Sequence, residues 1–377
     1  MTVERPPTPY QRYIEAQGLP VHEGPGFYDV RELSTEPWGD AGVSGAFLVP
    51  DGTIDLLGMH ILSIPPGGQS PPLRHIYEEK YFVVEGEGVT EVSTIDRSKT
   101  VRFEWTKNAL FAIPINAEFA IYNTGDSPAL FIVGNTAPVV MGIFDNEDFI
   151  FNNPYEFRDR FDGGDTYYRP SFDVVPTAVL KRAAWNTNII PDVVNTVLPL
   201  DNQRSPGYRR IQPQMANGNF DAFVGEHAPG RYSKAHAHES HATLICIKGQ
   251  GYTYNWPKGV GTQPWATGQE DTIERVDYKD GGLVAAAPGG GDWFHQHFPT
   301  GEGGIRFLTL FGGVPDLQYQ SYGKRGGNNT WLNANIEDGG QSIGYHAEDP
   351  MIRQIFEEEL SREGIDFNMP EELYRKD

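Results

Sequence analysis

An internal repeat is the feature that most constrains how this chain folds. One copy runs from Gly67 to Gly86 and the other from Gly230 to Gly249, so both span 20 residues. The positions that correspond are, in order, Gly67, Leu73, His75, Glu79 and Gly86 in the first copy and Gly230, His236, His238, Ala242 and Gly249 in the second. Matching offsets over such a span predict two structural units of similar design.

Both copies lie in regions of short apolar or alternating runs. From Val43 to Val140 these runs are GAFLV, MHILSI, KYFVVEG, VTEVST, ALFAIP, EFAIYN and ALFIVG, and from Tyr208 to Gly313 they are DAFVG, ATLICIKG, YTYNW, LVAAAP, DWFHQHF and IRFLTLFGG. The chain also contains 43 Gly, 29 Pro and 12% aromatic residues, a mix that favours short strands joined by tight turns. The spacing predicts an antiparallel β-sandwich or barrel in each half.

The remaining segments divide the chain into five predicted parts. These are an N-terminal arm at 1–40, a first barrel at 41–145, a connection at 146–200, a second barrel at 201–335 and a tail at 336–377. In the connection, PYEFRDRF and PTAVLKRAAW predict short helices. In the tail, a helix is predicted with Pro350 at its start and Gly364 at its end. Its apolar positions follow helical spacing at Ile352, Ile355, Phe356 and Leu360.

Charge and composition restrict the partners of the chain. A formal net charge of −21 without a Lys/Arg run argues against a nucleic-acid partner. No apolar run approaches the ~20 residues needed to span a membrane. The start, MTVERPPTPYQRY, lacks the apolar region of a secretory signal. The single cysteine, Cys246, predicts a buried thiol and suits a reducing compartment. We therefore expect a cytoplasmic protein, and the aromatic-rich arm and the tail helix indicate a homodimer or higher homo-oligomer.

Two His-x-His pairs carry the chemistry. His236 and His238 form one pair, and His295 and His297 form the other, in FHQHF. Alternate side chains of a strand point to the same face, so the histidines of each pair project together. An isolated buried histidine is usually a hydrogen-bonded core residue. Two pairs in strand-like surroundings instead favour a site in which three histidines bind one ion, since neutral imidazole suits Fe, Zn, Cu and Ni.

The spacing of the repeat resembles the first motif of the cupin superfamily, which reads Gly, five residues, His-x-His, three or four residues, Glu, six residues, Gly. The second cupin motif begins at Gly282, Pro288 and Gly290 in the second half and is eroded in the first half. The resemblance implies an all-β bicupin. Its fold class would be two double-stranded β-helix (jelly-roll) barrels with short linking helices and a C-terminal helix.

Comparison of the two halves places the metal in the second barrel. The family's ligand positions read Leu73, His75, Glu79 and Phe119 in the first half, which implies a metal-free barrel. They read His236, His238, Ala242 and His295 in the second half. This pattern resembles the gentisate-type and salicylate-type Fe(II) dioxygenases, which use three histidines without a glutamate. The resemblance implies an Fe(II) dioxygenase that takes O2 and a small aromatic or enolisable substrate.

Two other functions share this fold. One is an isomerase, lyase or decarboxylase that uses Mn, Ni or Zn as a Lewis acid, and the other is a non-catalytic small-molecule-binding protein.

The third metal ligand also has two candidates. The spacing of the family's second motif would place the third ligand at Trp293, so Gly289–Gly291 must absorb two extra residues. His295 and His297 would point to the same face of the strand, so the alternation of side chains does not choose between them. The resemblance favours His295, with His297 near the substrate. Further candidate catalytic residues are His241, Gln296, Trp293 and Arg306, the last as a partner for a substrate carboxylate.

Overall fold

A computed structural model of the protein describes residues 6–39, 42–176, 183–238, 242–312 and 333–375. Its α-helices are α1 Pro9–Ala16, α2 Ala137–Phe144, α3 Glu147–Phe151 and α4 Pro350–Glu363. Its strands are β1 Val21–Gly24, β2 Gly26–Phe27, β3 Glu36–Pro37, β4 Ser44–Pro50, β5 Gly58–Ile64, β6 Glu79–Glu85, β7 Glu87–Ser93, β8 Thr100–Thr106, β9 Leu110–Ile113, β10 Glu118–Asn123, β11 Ala129–Asn135, β12 Val174–Pro176, β13 Ala183–Asn186, β14 Ile189–Ile190, β15 Arg209–Gln214, β16 Ala222–His227, β17 Ala242–Pro257, β18 Glu274–Lys279, β19 Leu283–Ala286, β20 Trp293–Pro299 and β21 Ile305–Phe311.

The first barrel is built from two sheets. One has the strand order β1-β4-β5-β11-β6-β9-β14, with β3 beside β4, and the other has the order β10-β7-β8. Aromatic rings fill the space between the two sheets. Tyr81 stacks on Phe111 with 5.1 Å between ring centroids, and Phe131 contacts Trp105 at 4.9 Å. The interior of this barrel is therefore a packed apolar core below its mouth.

The second barrel is organised by one long strand. The 16 residues of β17 pair with β21 and β19 in the first part of the strand and with β18 and β20 in the second part. A single bent strand thus belongs to both walls of the barrel. Its apolar core includes Leu244, Cys246, Tyr278 and Phe307. Burial raises the pKa of the Cys246 thiol, so the cysteine is the buried, protonated thiol that the sequence predicts.

The two barrels pack against each other through a shared apolar cluster. Met59 and Ile132 enter it from the first barrel, and Ile211 and Leu308 enter it from the second. Short strands from outside each barrel complete the sheets. The arm strand β2 pairs with β19 of the second barrel, and β14 of the connection pairs with β9 of the first. The arm and the connection therefore tie the two barrels together.

The helix predictions for the connection are partly wrong. PYEFRDRF forms turns, because the side chain of Asn116 donates to the backbone carbonyls of Asn153 and Tyr155, at 2.9 and 2.7 Å, and takes them away from helix formation. In PTAVLKRAAW, residues 177–182 lie outside the described part, and Ala183–Asn186 is the strand β13. The short helices α2 and α3 lie just before these segments. The side chain of Asn146 caps α3 by accepting from the amide of Phe149 at 2.9 Å.

The predicted C-terminal helix is confirmed. Asp349 caps α4, Pro350 occupies its first turn, and Gly364 ends it with a left-handed φ of 69°. The helix buries Ile352, Phe356 and Leu360 against the second barrel. The arm helix α1 packs on α2 of the same chain, so both terminal elements cover their own protomer. A homo-oligomer stays a prediction. None of the helices in the described ranges has the length and apolar character of a membrane-spanning segment.

Candidate metal centre

The first histidine pair lies in an extended segment that follows a glycine turn. Gly230 has a φ of 69°, and a Cβ added there would lie 2.1 Å from the carbonyl oxygen of Asp366, so only glycine fits this turn. After the turn, the backbone of His236 pairs with His295 on one side and with Ser342 on the other. These two neighbours fix the direction in which the imidazole of His236 points.

The second pair lies on β20, whose two faces have different surroundings. His295 and His297 face the barrel interior, whereas Phe294 and Phe298 face the cluster under α4. The ring of His295 lies 4.1 Å from that of His236 and 4.6 Å from that of His238, measured between centroids. The alternation predicted for FHQHF therefore brings one histidine of the second pair to the first pair.

Three histidines converge into one site. Each of His236, His238 and His295 offers a ring nitrogen, and these nitrogens lie within 4.8 Å of one another. His236 and His295 are 4% and 1% exposed, while His238 is half-buried. The cluster contains no carboxylate, and no other cluster of this kind occurs among the residues the structure describes. Three nitrogen donors on one side of an open position suit a transition-metal ion.

The hydrogen bonds of two imidazoles fit a bound metal. Nδ1 of His236 donates to the carbonyl oxygen of Lys234 at 2.9 Å, which leaves Nε2 deprotonated and able to bind an ion. Nδ1 of His295 is buried and has no hydrogen-bond partner in the described part of the chain. Unsatisfied buried atoms of this kind are rare in proteins and point to a missing ion, water or ligand.

Electrostatics also keeps the ligands neutral. Burial is the main reason that the pKa values of His236 and His295 lie well below the usual value, and the positive charge of Arg204 lowers both further. The pKa of His297 falls for the same two reasons and by interaction with His227. Neutral imidazole is the form that binds metal, so the barrel holds its histidines ready for an ion at neutral pH.

His297 and His227 form a second layer beneath the three histidines. The ring of His297 lies 5.4 Å from that of His295, and its Nδ1 forms a hydrogen bond with Oγ1 of Thr253 at 2.8 Å. His227 lies 6.3 Å from His297 and is hydrogen-bonded to Ser205 at 3.1 Å. Sequence reasoning overlooked His227 because it is a single histidine, although it ends the apolar strand β16 and therefore faces inward.

Arg306 has a different role from the one predicted. Its Nε donates to Glu226 at 2.8 Å, and its Nη1 donates to the carbonyl oxygens of Val193 and Thr196 at 3.0 and 2.8 Å. These bonds join the connection to the second barrel and engage the guanidinium that was expected to bind a substrate carboxylate. The arginine whose charge acts on the histidines is Arg204, which sequence reasoning missed because it lies in a loop outside both motifs.

The other predicted catalytic residues are placed as follows. Gln296 points away from the histidines and donates to the backbone oxygen of Ser233 and to Glu348, at 3.0 and 3.1 Å, because it occupies the outer face of β20. Trp293 begins β20 and packs on Gly289, where an added Cβ would lie 1.8 Å from the indole. The short 3-10 turn Gly290–Asp292 absorbs the two extra residues before β20. His241 lies outside the described residues.

At the corresponding positions of the first barrel, the two polar side chains contact each other. Nδ1 of His75 faces the carbonyl oxygen of Tyr77 at 3.0 Å, and Nε2 faces Glu79 at 3.1 Å. Both ring nitrogens therefore have an oxygen atom of the protein within hydrogen-bonding distance. Burial by itself would raise the pKa of Glu79, but His75, His60 and Tyr81 together lower it. The carboxylate and the imidazole thus form a closed hydrogen-bonded pair.

Comparisons with known proteins agree with a cupin architecture. The cupin domain family matches residues 60–134. Auxin-binding protein T85 of Nicotiana tabacum is 27% identical over 143 residues, which cover 35% of this chain and 75% of that protein. Auxin-binding protein T92 of the same plant shows the same identity over the same length. The strands form a two-barrel cupin fold.

Solved structures with a similar fold include two bacterial oxalate decarboxylases. A mutant of Bacillus subtilis oxalate decarboxylase OxdC superposes with a TM-score of 0.46 and 11% identity, over 75% of this chain and 76% of that one. The formate complex of Lactobacillus farciminis oxalate decarboxylase gives a TM-score of 0.48 and 12% identity, over 75% of this chain and 85% of that one.

Proposed function

We propose that the chain is a metal-dependent oxidoreductase whose second barrel binds Fe(II) and inserts O2 into a small aromatic or enolisable compound. The observation that carries this proposal is the cluster of His236, His238 and His295, three imidazoles without a carboxylate. When bound there, an Fe(II) ion would supply coordination positions for substrate oxygens and for O2. In this proposal His236, His238 and His295 are the metal ligands.

The electrostatics of the second barrel favours an anionic substrate. The three ligands add no negative charge, and Ala242 is buried at the position where the first barrel carries Glu79. Arg204 contributes a further positive charge, which lowers the pKa values of His236 and His295. A catecholate, salicylate or enolate would therefore be attracted to this site, whereas a cation would be repelled.

His297 is the residue that we assign to the substrate or to its proton transfers. It lies on the same face of β20 as His295, and its imidazole is oriented by the hydrogen bond to Thr253 at 2.8 Å. Its ring lies 6.2 Å from that of His236, close enough for contact with a molecule bound beside the three ligands. Because Nδ1 is used in the bond to Thr253, Nε2 of this buried imidazole is the atom that can exchange a proton with a bound molecule.

The test is anaerobic reconstitution with Fe(II), followed by O2-uptake measurements with catechols, hydroxybenzoates, diketones and thiols. The proposal expects O2 uptake with at least one class, lost in His238→Ala and retained in His75→Ala, which alters the closed pair of the first barrel. Turnover with Mn, Ni or Zn and no O2 consumption would instead identify a lyase, isomerase or decarboxylase. Binding without turnover under any of these metals would identify a non-catalytic protein.

A further inference from the structure

The mouth of the first barrel contains a cavity of about 180 Å³. Its walls are largely apolar and aromatic, with Trp38, Leu62, Tyr77 and Phe151 among the lining residues. An apolar cavity of roughly 150 Å³ is large enough to bind benzene. The cavity therefore has room for one aromatic ring with a small substituent.

The polar part of the lining holds one imidazole that has no hydrogen-bond partner among the described residues. His60 is 7% exposed and lines the cavity, and neither of its ring nitrogens has a hydrogen bond within the described ranges. Trp38 fixes the ring by an edge-to-face contact at 5.3 Å. Burial lowers the pKa of His60 to about 4, so at neutral pH the imidazole offers one donor and one acceptor. A buried polar group without a partner is expected to have a ligand or water.

Glu79 supplies a second hydrogen-bonding position beside His60. Its Oε2 accepts from Nε2 of His75 at 3.1 Å and from the hydroxyl of Tyr81 at 2.6 Å, and no described residue donates to Oε1. The polar part of the cavity thus holds the acceptor Glu79, which favours a ligand that carries a hydroxyl group. Arg74 also lines the cavity, and its Nη1 donates to the carbonyl oxygen of Asn153 at 3.1 Å.

We propose that the first barrel is a metal-free binding site for a single-ring phenol, with the ring among the aromatic walls and the hydroxyl between His60 and Glu79. Phenol meets both requirements, because its hydroxyl donates to the carboxylate and accepts from the imidazole. Toluene has no hydroxyl to satisfy His60. Benzoate brings a negative charge close to Glu79. The site depends on neither the metal of the second barrel nor the reaction proposed there.

The experiment is calorimetric titration of the metal-loaded full-length protein with phenol, toluene and benzoate. Leu73→Trp fills the cavity from a position that is 36% exposed, and Leu200→Trp, at a position 58% exposed and remote from the lining, is the matched control. His60→Phe keeps the ring and removes its hydrogen bonds. We expect phenol to bind most tightly, with affinity lost in Leu73→Trp, reduced about tenfold in His60→Phe and unchanged in Leu200→Trp.

The same titration on His236→Ala separates this site from the metal centre. The proposal expects phenol binding to persist in His236→Ala. Binding that disappears in His236→Ala and survives in Leu73→Trp belongs to the metal centre, which overturns this proposal and leaves the proposed function intact. Tighter binding of benzoate than of phenol, or equal affinity in His60→Phe and the unmodified protein, overturns the assigned ligand class.

Discussion

His236 and His295 exchange both of their backbone hydrogen bonds, each at 3.0 Å between nitrogen and oxygen. Leu73 and Phe119 do the same in the first barrel, at 2.9 Å in each direction. The two barrels therefore use one backbone pairing to bring the two motifs together. It holds two imidazoles in the second barrel and two apolar side chains in the first, so the difference between the barrels lies in the side chains.

This equivalence distinguishes His295 from His297. His295 occupies the position of Phe119 opposite the first motif, whereas His297 lies one pair further along β20 and bonds to Thr253. We expect His295→Ala to abolish tight metal binding, because it removes one of three ligands. We expect His297→Ala to retain the metal and lower turnover. Elemental analysis and steady-state rates on both variants would check this, and the reverse pattern would reassign the third ligand.

Ala242 provides a test of the missing carboxylate. The corresponding Glu79 contacts His75 at 3.1 Å in the first barrel, so Ala242→Glu should bring a carboxylate to the histidines. We expect tighter metal binding and a higher KM for an anionic substrate, because the added charge offsets that of the ion. Ala242→Gln, which has a similar shape and no charge, is the matched control. Equal KM values for the two variants would count against the electrostatic argument.

The ion pair of Arg306 and Glu226 is expected to stabilise the fold. Arg306→Met removes the buried partner of this half-buried pair and frees two backbone carbonyls, so it should cost about 3 kcal/mol in the free energy of unfolding. Arg102 and Glu91 are likewise opposite each other on two paired strands, but the side chain of Arg102 is 63% exposed. Arg102→Met should therefore cost less than about 1 kcal/mol in the free energy of unfolding. Denaturant unfolding measures both values. A raised KM in Arg306→Met without destabilisation would restore the substrate-binding role.

Glu348 predicts a dependence of stability on pH. This carboxyl is buried between Tyr232 and Gln296, and burial raises its pKa to about 8 from a usual value of 4.5. Between these two values the folded protein keeps a proton that the unfolded chain loses. The contribution of Glu348 is therefore present at acid pH and is lost as the pH rises through 8.

Glu348→Gln removes this titration. Relative to the unmodified protein, the variant should gain roughly 3–5 kcal/mol in the free energy of unfolding between pH 4.5 and pH 8. Denaturant unfolding at several pH values would measure the difference. A difference that does not change with pH would show that the carboxyl ionises normally in the folded protein.

The sequence was most informative where local pattern decides the structure. Strand runs and the spacing of the motifs predicted two barrels, and Asp349, Pro350 and Gly364 predicted both ends of α4. The connection was harder, because the backbone of Asn153 and Tyr155 is held by Asn116, which is distant in sequence. A contact of this kind leaves no periodic signal in the segment itself.

The same limit applies to the candidate site. The three histidines could be predicted because two lie in one motif and the third follows a glycine turn that ends at β20. The charge of Arg204 and the position of His227 depend on loops and strands that meet only in the folded barrel. The prediction that Gln296 is catalytic was wrong, although the sequence already contained the signal against it. Alternation of side chains along β20 puts Gln296 on the face away from His295.

Elemental analysis of the purified protein would show whether the chain binds metal in the second barrel alone. We expect about one ion per chain, the same content in His75→Ala, and no tightly bound metal when His236→Ala and His238→Ala are combined. A content near two ions per chain, or metal retained in the combined variant, would contradict this expectation.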